Sequence, residues 1–230
     1  MNSYVKNFLE KFGIFLSKQP LKYAELIDDI RKNLIKNTNV LHVGAHSGQE
    51  SFFYNQLGIK VIWIEAIPEI YNQLIKNIQP FPSQSAFLAL LGEQNKSNVE
   101  FYLSNNERAS SSIYKFGKQK TLGSLEMDGV IELDMKRLDH LFNSSDLIGF
   151  NHWVIDVQGA ELNVCKGAGD LLRLATSLEI EVSTRDEYSH GTRYEELKSF
   201  LNGHDFFPLW EPKDKSHEDI FFIRRFTANQ

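Results

Sequence analysis

Two glycines and a carboxylate are the residues whose types and spacing could do chemistry. Gly44 and Gly48 follow the short apolar run from Val40 to Val43 and open a segment with helical character. Glycines at such a turn expose backbone amides at a helix start, where the helix dipole favours an anionic or polar ligand group. Glu65 ends a second buried run about 20 residues further on, and an acid there is placed to accept hydrogen bonds from ribose hydroxyls. The spacing therefore predicts a site for a nucleoside-bearing cofactor.

The loop itself narrows the choice of cofactor. It reads Gly-Ala-His-Ser-Gly from Gly44 to Gly48 and lacks the third glycine of dinucleotide-binding loops, where the helix packs close to a pyrophosphate. S-adenosylmethionine carries a nucleoside but no pyrophosphate, so the looser loop suits it. The alternative is an ordinary strand-turn-helix corner, and the well-spaced Glu65 favours the cofactor over that alternative.

Composition limits the classes of protein that the chain can represent. Its 230 residues suffice for one α/β domain with a sizeable core. A net charge of -5 gives no general attraction to a phosphate backbone, so nucleic acid is not expected as a partner. The single cysteine, Cys165, excludes an internal disulfide framework and a thiolate zinc cluster. Residues 1–17 mix charged with apolar side chains, so neither a signal peptide nor a membrane span is predicted, and a cytoplasmic protein is expected.

Buried runs that alternate with helical patterns predict a parallel sheet. Strands are expected at 40–43, 60–65, 85–91, 152–157 and 178–182, and two more at 204–210 and 220–223. Helices are expected at 47–57, from 68 onward, at 161–172 and from 192 to 203. Consecutive strand-helix units require right-handed crossovers, and hence parallel strands. Helical periodicities at 4–16 and 23–35 predict accessory helices in residues 1–37, which either pack on the α/β domain at 38–226 or form a dimer contact.

The pattern changes in the middle of the chain. Residues 99–103 alternate, residues 104–112 are polar, and residues 129–133 form another short apolar pattern. An inserted strand, loop and strand are predicted there, too short to be a domain. Asp139 is expected to cap the helix that follows, and Thr192 with Glu195 is expected to form a capping box for a later helix.

The segment from Asp156 to Leu162 reads Asp-Val-Gln-Gly-Ala-Glu-Leu, with Lys-Gly-Ala at 166–168, and it resembles the FkbM-type methyltransferase family. The resemblance also includes residues 42–50, the strand end at 63–66, the serine cluster that ends at Ser112, and residues 219–223. It spans roughly residues 39–225, and residues 1–37 lie outside it.

The resemblance implies an α/β, Rossmann-like class I methyltransferase fold with a seven-stranded, mostly parallel sheet flanked by helices. It also implies transfer of a methyl group from S-adenosyl-L-methionine to a hydroxyl of a sugar, glycan, glycolipid or glycosylated metabolite. Carried over position by position, residues 44–50 would hold the methionine part, Glu65 the ribose, and Asp156 would lie beside cofactor and acceptor. The full set of cofactor contacts would be Gly44, Ala45, His46, Gly48, Gln49, Glu50, Glu65, Ala66, Ser112, Asp156 and Val157.

Methyl transfer needs an aligned acceptor and a base. The reaction is an in-line displacement at a sulfonium carbon, so the enzyme holds donor and acceptor in line and removes a hydroxyl proton. Asp156, His190 and His217 are the candidate bases, because each is expected at the carboxyl ends of the strands. Gln158 stands where many family members have glutamate, which removes a second candidate acid. Solvated surface histidines are the alternative interpretation of His190 and His217.

Other polar residues at the same edge allow further interpretations. Asp156 and Glu181 could hold a divalent cation, but pairing of Glu181 with Arg185 or a loop is favoured, so no metal ligand is assigned. Candidate acceptor contacts are the loop at 105–112 and four side chains, namely Arg185, Tyr188, Arg193 and Trp210.

Three functional classes remain after these arguments. Methylation of a base amine is disfavoured, because no Asn/Asp-Pro-Pro-aromatic segment follows the strand at 152–157. An O-methyltransferase acting on a small molecule or glycan is the principal hypothesis. A Rossmann-type oxidoreductase with a nucleotide cofactor is one alternative. A non-catalytic cofactor-binding module that contacts a partner through its N-terminal helices is the other.

Overall fold

The computed structural model describes residues 23–118, 124–213 and 217–225, and the side chains from residue 29 onward within them. The helix predicted at residues 4–16 lies outside these ranges. The α-helices are α1 (Tyr23–Ile35), α2 (Ser51–Gln56), α3 (Pro68–Ile78), α4 (Leu138–Leu141), α5 (Glu161–Ala168) and α6 (Tyr194–Asn202). The strands are β1 (Val40–Val43), β2 (Val61–Glu65), β3 (Gln84–Leu88), β4 (Leu90–Leu91), β5 (Lys96–Ser104), β6 (Met127–Lys136), β7 (His152–Ile155), β8 (Ser177–Val182), β9 (Phe206–Pro208) and β10 (Glu218–Arg224).

Seven strands form the central sheet in the order β3-β2-β1-β7-β8-β10-β9. Strands β3, β2, β1, β7 and β8 run parallel, and β10 is antiparallel to both of its neighbours. The predicted seven-stranded, mostly parallel sheet is therefore confirmed. The order reverses between β1 and β7, where Val43 is paired with Ile155, and ligands of open α/β sheets bind outside the strand ends at such a point.

Burial on both faces explains why the central strands form. Every residue of β1, β2 and β7 is buried, as expected for parallel strands that are covered by helices on both sides. The two tryptophans of these strands, Trp63 and Trp153, are completely buried and belong to different core clusters. The sheet is thus a rigid platform whose carboxyl edge positions Gly44, Glu65 and Asp156.

The inserted strands form a second sheet, in the order β4-β6-β5. The strand predicted at 85–91 is split, because only Gln84–Leu88 pairs with β2 and Leu90–Leu91 crosses to β6. The second sheet packs apolar side chains, among them Phe101 and Met135, against Ile67 and Ile70 around the start of α3. This packing places the insertion close to the carboxyl edge of the central sheet.

Helix α1 packs on the antiparallel side of the central sheet, at β10 and the segment that follows β9. Ile30 packs with Leu209, Phe221 and Ile223, and Arg31 reaches Glu179 in β8. These contacts attach α1 to the strands β8 and β10 of the central sheet and to the segment that follows β9. No helix in the described ranges is long and apolar enough to cross a membrane.

Several predicted element boundaries are wrong. Helix α2 begins at Ser51 instead of residue 47, because His46 and Gly48 have φ angles of 45° and 72°, which a right-handed helix does not allow. Helix α5 ends at Ala168, since Gly169 has a φ of 51°, and the chain continues as a 3-10 helix over Gly169–Leu174. The strand expected at 204–210 is confined to Phe206–Pro208.

Both predicted helix caps are also wrong. Helix α4 begins after Arg137, whose side chain binds the carboxylate of Asp139, so Asp139 serves an ion pair instead of a cap. Helix α6 begins after Arg193 without a side-chain cap. The Thr192 amide donates instead to the Gly159 carbonyl at 2.7 Å, which ties this loop to the turn after β7.

Candidate active site

The glycine turn joins the ends of three parallel strands. The amides of Gly44 and Ala45 both donate to the Ile64 carbonyl, at 3.0 Å each, and the Asp156 amide donates to Val43 at 3.0 Å. A Cβ atom on Gly44 would lie 1.7 Å from the Asp156 carbonyl oxygen, and the φ of Gly44 is 83°. Only glycine allows this approach, so the turn holds β1, β2 and the segment after β7 at a fixed separation.

A cavity of about 280 Å³ lies at this edge, between the glycine turn and the second sheet. It is lined by nine of the residues that the sequence singled out, namely Gly44, Ala45, His46, Gln49, Glu50, Glu65, Ala66, Asp156 and Val157. Residues of the insertion also line it, namely Leu90, Leu91, Phe101, Arg108, Ala109, Ser111 and Ile113. The cavity thus combines a polar strand-end wall with an apolar wall from the second sheet.

The Glu65 carboxylate is fixed at the end of β2. Its Oε2 accepts the His46 amide at 2.8 Å and its Oε1 accepts the Ile67 amide at 2.7 Å. Burial raises the pKa of Glu65, and these amides oppose the rise. Each Glu65 oxygen keeps a further lone pair. The carboxylate can therefore also accept hydrogen bonds from the hydroxyl groups of a ligand in the cavity.

His46 connects the glycine turn to the loop before residue 112. The Gln49 side-chain amide lies 3.0 Å from His46 Nδ1, and His46 Nε2 lies 2.9 Å from the Glu107 carbonyl. Because the amide donates to Nδ1 and the carbonyl can only accept, the imidazole carries its proton on Nε2. His46 therefore fastens the loop over the cavity, with Arg108 and Ala109 of that loop in the lining.

Asp156 lies at the cavity wall within a group of carboxylates. Burial, together with the charge of Glu181, raises the pKa of Asp156 well above its ordinary value. Gln158 Nε2 donates to Asp156 Oδ1 at 2.7 Å and to Glu181 Oε2 at 2.8 Å. An acid of raised pKa beside a ligand cavity is a candidate for proton transfer.

A third acid, Glu161, completes this group. Asp156, Glu161 and Glu181 each offer one oxygen within 4.8 Å of the others. Glu161 Oε1 already accepts the amides of Val157 and Gly159, at 3.2 and 2.9 Å, and its pKa is raised to about 7 by burial. Glu161 therefore closes the turn after β7, and the Gln158 amide lies between the other two carboxylates.

The structure places the two histidine candidates outside the cavity. His217 Nδ1 lies 3.4 Å from Glu181, and its Nε2 lies 2.8 Å from Glu187, which is buried. His217 thus contacts Asp156's neighbour Glu181. His190 is exposed and lines a separate open pocket with Lys118 and Arg193.

Two further predicted residues support the cavity without lining it. Gly48 lies in the turn, where its amide donates to Ala45 at 2.9 Å. Ser112 is fully buried, and its hydroxyl donates to the Gln158 carbonyl at 2.7 Å.

Sequence reasoning did not find the apolar wall that β4 and β5 supply. Alternation at residues 99–103 predicted strand β5. Its contact with the cavity depends on how the second sheet packs against the start of α3, which the alternation does not indicate. Among the proposed acceptor contacts, Tyr188 is buried behind Gln158, and Arg193 pairs with Asp186.

Comparison with known proteins gives one family. The model of the methyltransferase FkbM domain matches residues 42–208. No curated protein matches the chain.

Solved structures resemble the chain at low identity. A protein of the NADB-Rossmann superfamily from Streptococcus agalactiae has a TM-score of 0.51 at 15% identity, over 93% of this chain and 74% of that one. An rRNA methylase from Streptococcus thermophilus has a TM-score of 0.50 at 8% identity, over 90% and 98%. Magnesium protoporphyrin IX methyltransferase from Synechocystis, with bound S-adenosylmethionine, has a TM-score of 0.46 at 10% identity, over 97% and 96%. At these identities, the first two support a Rossmann-like fold.

Proposed function

The chain belongs to the FkbM methyltransferase-domain family, and from this premise we propose that it is an O-methyltransferase acting on a hydroxyl of a sugar, glycan, glycolipid or glycosylated metabolite. Methyl transfer from S-adenosylmethionine follows from the family. The oxygen acceptor and its carbohydrate nature are the proposal. The observation that carries it is that Glu65 and Asp156, one acid suited to a ribose and one suited to a hydroxyl proton, line the same cavity.

Cofactor binding is assigned to the glycine turn and the end of β2. Glu65 would accept the ribose hydroxyls, because both of its oxygens are held by backbone amides and retain free lone pairs. Residues 44–50 would surround the methionine part, with Glu50 and Gln49 supplying polar groups to the lining. The apolar wall, with Phe101 and Leu91, supplies surface on which an adenine ring can pack.

Asp156 is assigned as the general base. S-adenosylmethionine would supply an electrophilic methyl group when bound, and the Asp156 carboxylate would take the proton of the acceptor hydroxyl as its oxygen is methylated, so that the sulfonium charge and the carboxylate charge are lost together. A pKa raised above its ordinary value makes Asp156 a better proton acceptor than a free aspartate. His217 contacts Glu181 and not the cavity, so it is assigned a supporting role, and His190 is assigned none.

The charge at this edge supports a neutral, hydroxyl-rich acceptor. Asp156, Glu181 and Asp219 lie near one another, since Asp219 pairs in register with Glu181 and raises the pKa of Asp156. Carboxylates accept hydrogen bonds from sugar hydroxyls, whereas they repel phosphates. With the net charge of -5, this arrangement disfavours a nucleic-acid acceptor.

Isothermal calorimetry with S-adenosylmethionine and, separately, NADH tests the cofactor. We expect micromolar binding of S-adenosylmethionine alone, lost in Glu65→Ala and kept in Glu69→Ala, whose glutamate is exposed on α3. Binding of NADH alone would instead favour an oxidoreductase. If neither ligand binds, the cavity is not a nucleoside site.

Transfer of labelled methyl groups to a panel of sugars and glycolipids tests the acceptor. We expect labelled product that is stable to alkaline hydrolysis, as an ether is, with at least a hundredfold lower rate in Asp156→Asn. Label on an amine, or on an RNA panel alone, would contradict the proposal.

A further inference from the structure

We propose that Gln158, held by Tyr188, is the positioning residue for Asp156, and that its amide bridges Asp156 and Glu181 in the place that a divalent cation would take between two carboxylates. The proposal deepens the proposed function, because it says how the assigned base is held beside the cavity.

The hydrogen bonds of Gln158 use its whole side-chain amide. Nε2 donates one proton to Asp156 Oδ1 at 2.7 Å and the other to Glu181 Oε2 at 2.8 Å. Oε1 accepts the Tyr188 hydroxyl at 2.5 Å. An amide has two donor protons on one nitrogen, so it can join two acceptors as close as these, and glutamate at the same position cannot.

The backbone at Gln158 has a left-handed conformation that is held by a hydrogen bond to its carbonyl. Its φ is 56°, a left-handed conformation that costs free energy for a non-glycine residue. The buried Ser112 hydroxyl offsets this cost by donating to the Gln158 carbonyl. Strained backbone that is held by several contacts is typical of functional sites.

Tyr188 fixes the far side of the amide. It is buried, its ring lies against Phe116 at a centroid distance of 5.7 Å, and its hydroxyl also lies 3.1 Å from the Ser110 carbonyl. The tyrosine therefore reaches both Gln158 and the loop that carries part of the cavity lining. It belongs to the loop 183–193 and is 30 residues away from Gln158 in sequence.

The amide brings no full charge to the cluster. Glu161, Glu181 and Asp219 all act on Asp156 to raise its pKa, and Gln158 lowers it through a hydrogen bond. His217 Nδ1 also lies 3.4 Å from the Glu181 carboxylate. The Gln158 amide places no full positive charge between the carboxylates. Asp156 therefore keeps the high proton affinity that a base needs, while the amide holds its side chain in position.

Manganese binding, measured by calorimetry without any cofactor, gives the first test. Gln158→Glu replaces the bridging donor with a further carboxylate between Asp156 and Glu181 in nearly the same shape, and we expect it to bind Mn²⁺ at least tenfold more tightly than the unmodified protein. Gln56→Glu, an exposed change of equal charge at the end of α2, is the matched control and should not gain affinity. Melting curves establish that each variant folds.

Two results of that experiment would overturn the proposal. Equal Mn²⁺ affinity in Gln158→Glu and Gln56→Glu would mean that the three side chains do not converge. Mn²⁺ binding in the unmodified protein, at micromolar affinity and lost in Asp156→Asn, would mean that a cation and not the amide joins the carboxylates.

The preference for S-adenosylmethionine over S-adenosylhomocysteine gives the second test. The first ligand carries a sulfonium charge and the second does not, so their affinity ratio rises with pH as Asp156 ionises. Loss of the amide donors in Gln158→Leu should move the midpoint of this rise upward by about one pH unit, and Tyr188→Phe should move it less. Tyr194→Phe, a buried tyrosine whose hydroxyl binds Glu211, is the control and should leave it unchanged.

The experiments distinguish failure of the positioning role of Gln158 from failure of the proposed methyltransferase function. An unchanged midpoint in both Gln158→Leu and Tyr188→Phe would overturn the positioning role. If neither cofactor binds to the unmodified protein, the proposed function fails, and the manganese comparison still decides whether Gln158 bridges the carboxylates.

Discussion

Gly44 illustrates, at the scale of a single residue, how one missing Cβ positions a site. Its backbone lies against the Asp156 carbonyl, and its amide joins β2 through Ile64. The same residue therefore sets the distance between the segment that carries Asp156 and the strand that carries Glu65. A side chain at this position would push the two walls of the cavity apart.

We predict that Gly44→Ala destabilises the fold and abolishes binding of S-adenosylmethionine. The left-handed φ alone costs about 1 kcal/mol for alanine, and the overlap at 1.7 Å adds the cost of shifting backbone. Urea unfolding should show a loss of about 3 kcal/mol or more. Calorimetry on the folded fraction measures the binding.

Gly58→Ala is the matched control for that prediction. Gly58 has a φ of 68°, but nothing lies within 4 Å of a Cβ atom built on it. It should cost about 1 kcal/mol and leave cofactor binding unchanged. Equal losses of stability in the two variants would mean that the contact with Asp156 is not what requires glycine at position 44.

Sequence patterns could find residues of this kind but not their partners. Gly44, Glu65 and Asp156 each end a buried run, and parallel strands bring such ends to one edge, so their proximity was predictable. The contacts between Gln158 and Tyr188, or between His217 and Glu187, join loops whose conformations depend on left-handed residues and on buried hydrogen bonds. No periodicity reports such conformations.

The accessory helix α1 is tied to the central sheet, at the scale of the element, by the ion pair between Arg31 and Glu179, with Asp219 also 3.9 Å from Arg31. The Arg31 guanidinium donates from Nε to both oxygens of Glu179, at 3.0 and 2.9 Å, and a further contact joins Nη2 to the same carboxylate. Burial raises the pKa of Glu179, but the hydrogen bonds from Arg31, together with His152 Nε2 at 3.6 Å, outweigh it and hold the pKa at about 2. The helix thus neutralises a carboxylate that sits within the central sheet.

We predict that Arg31→Met lowers the free energy of unfolding at pH 7 by about 3 kcal/mol, because it leaves the Glu179 charge buried without its partner. A lowered pKa contributes stability above the unfolded value of 4.5 and loses it as pH falls toward 2. The difference between variant and unmodified protein should therefore shrink below pH 4.5. Urea unfolding at pH 3.5 and pH 7 measures it.

Lys32→Met, an exposed neighbour on the same helix, is the control for this prediction. It should change stability by less than about 0.5 kcal/mol at both pH values. A loss in Arg31→Met that stays the same at pH 3.5 would show that packing of the arginine stem, and not the ion pair, holds α1.

Elements with strong periodicity were predictable, and those decided by a few polar contacts were not. The mostly apolar runs of β1, β2 and β7 predicted buried parallel strands, and α1 has the bounds that its pattern indicated. The caps failed because Asp139 is occupied by Arg137 and the Thr192 amide by Gly159, partners that only the folded chain brings close. The division at residue 37 between accessory helices and domain stays a prediction, as does the dimer contact.

Buried acids govern the pH dependence of the whole molecule. Burial raises the pKa of Glu161 to about 7 and also raises the pKa values of Asp156 and Glu65, whereas partial burial and the charges of Glu179 and Glu181 raise the pKa of the half-exposed Asp219 to about 6. These groups bind protons more tightly in the folded state than in the unfolded chain. Their effect on stability is therefore lost as pH rises from about 4, the unfolded value, to the folded values near 6 and 7.

Glu179 acts in the opposite direction at lower pH. Because its pKa is lowered, its contribution to stability increases as pH rises from about 2 to 4.5 and is complete above 4.5. The two effects together predict a melting temperature that is highest near pH 5 and falls by about 5 °C or more toward pH 8. Thermal unfolding between pH 3 and pH 8 measures this curve. Asp156→Asn should reduce the fall in melting temperature above pH 5, because the variant has no carboxylate to ionise beside Glu181. A melting temperature that rises steadily from pH 5 to pH 8 would contradict the prediction.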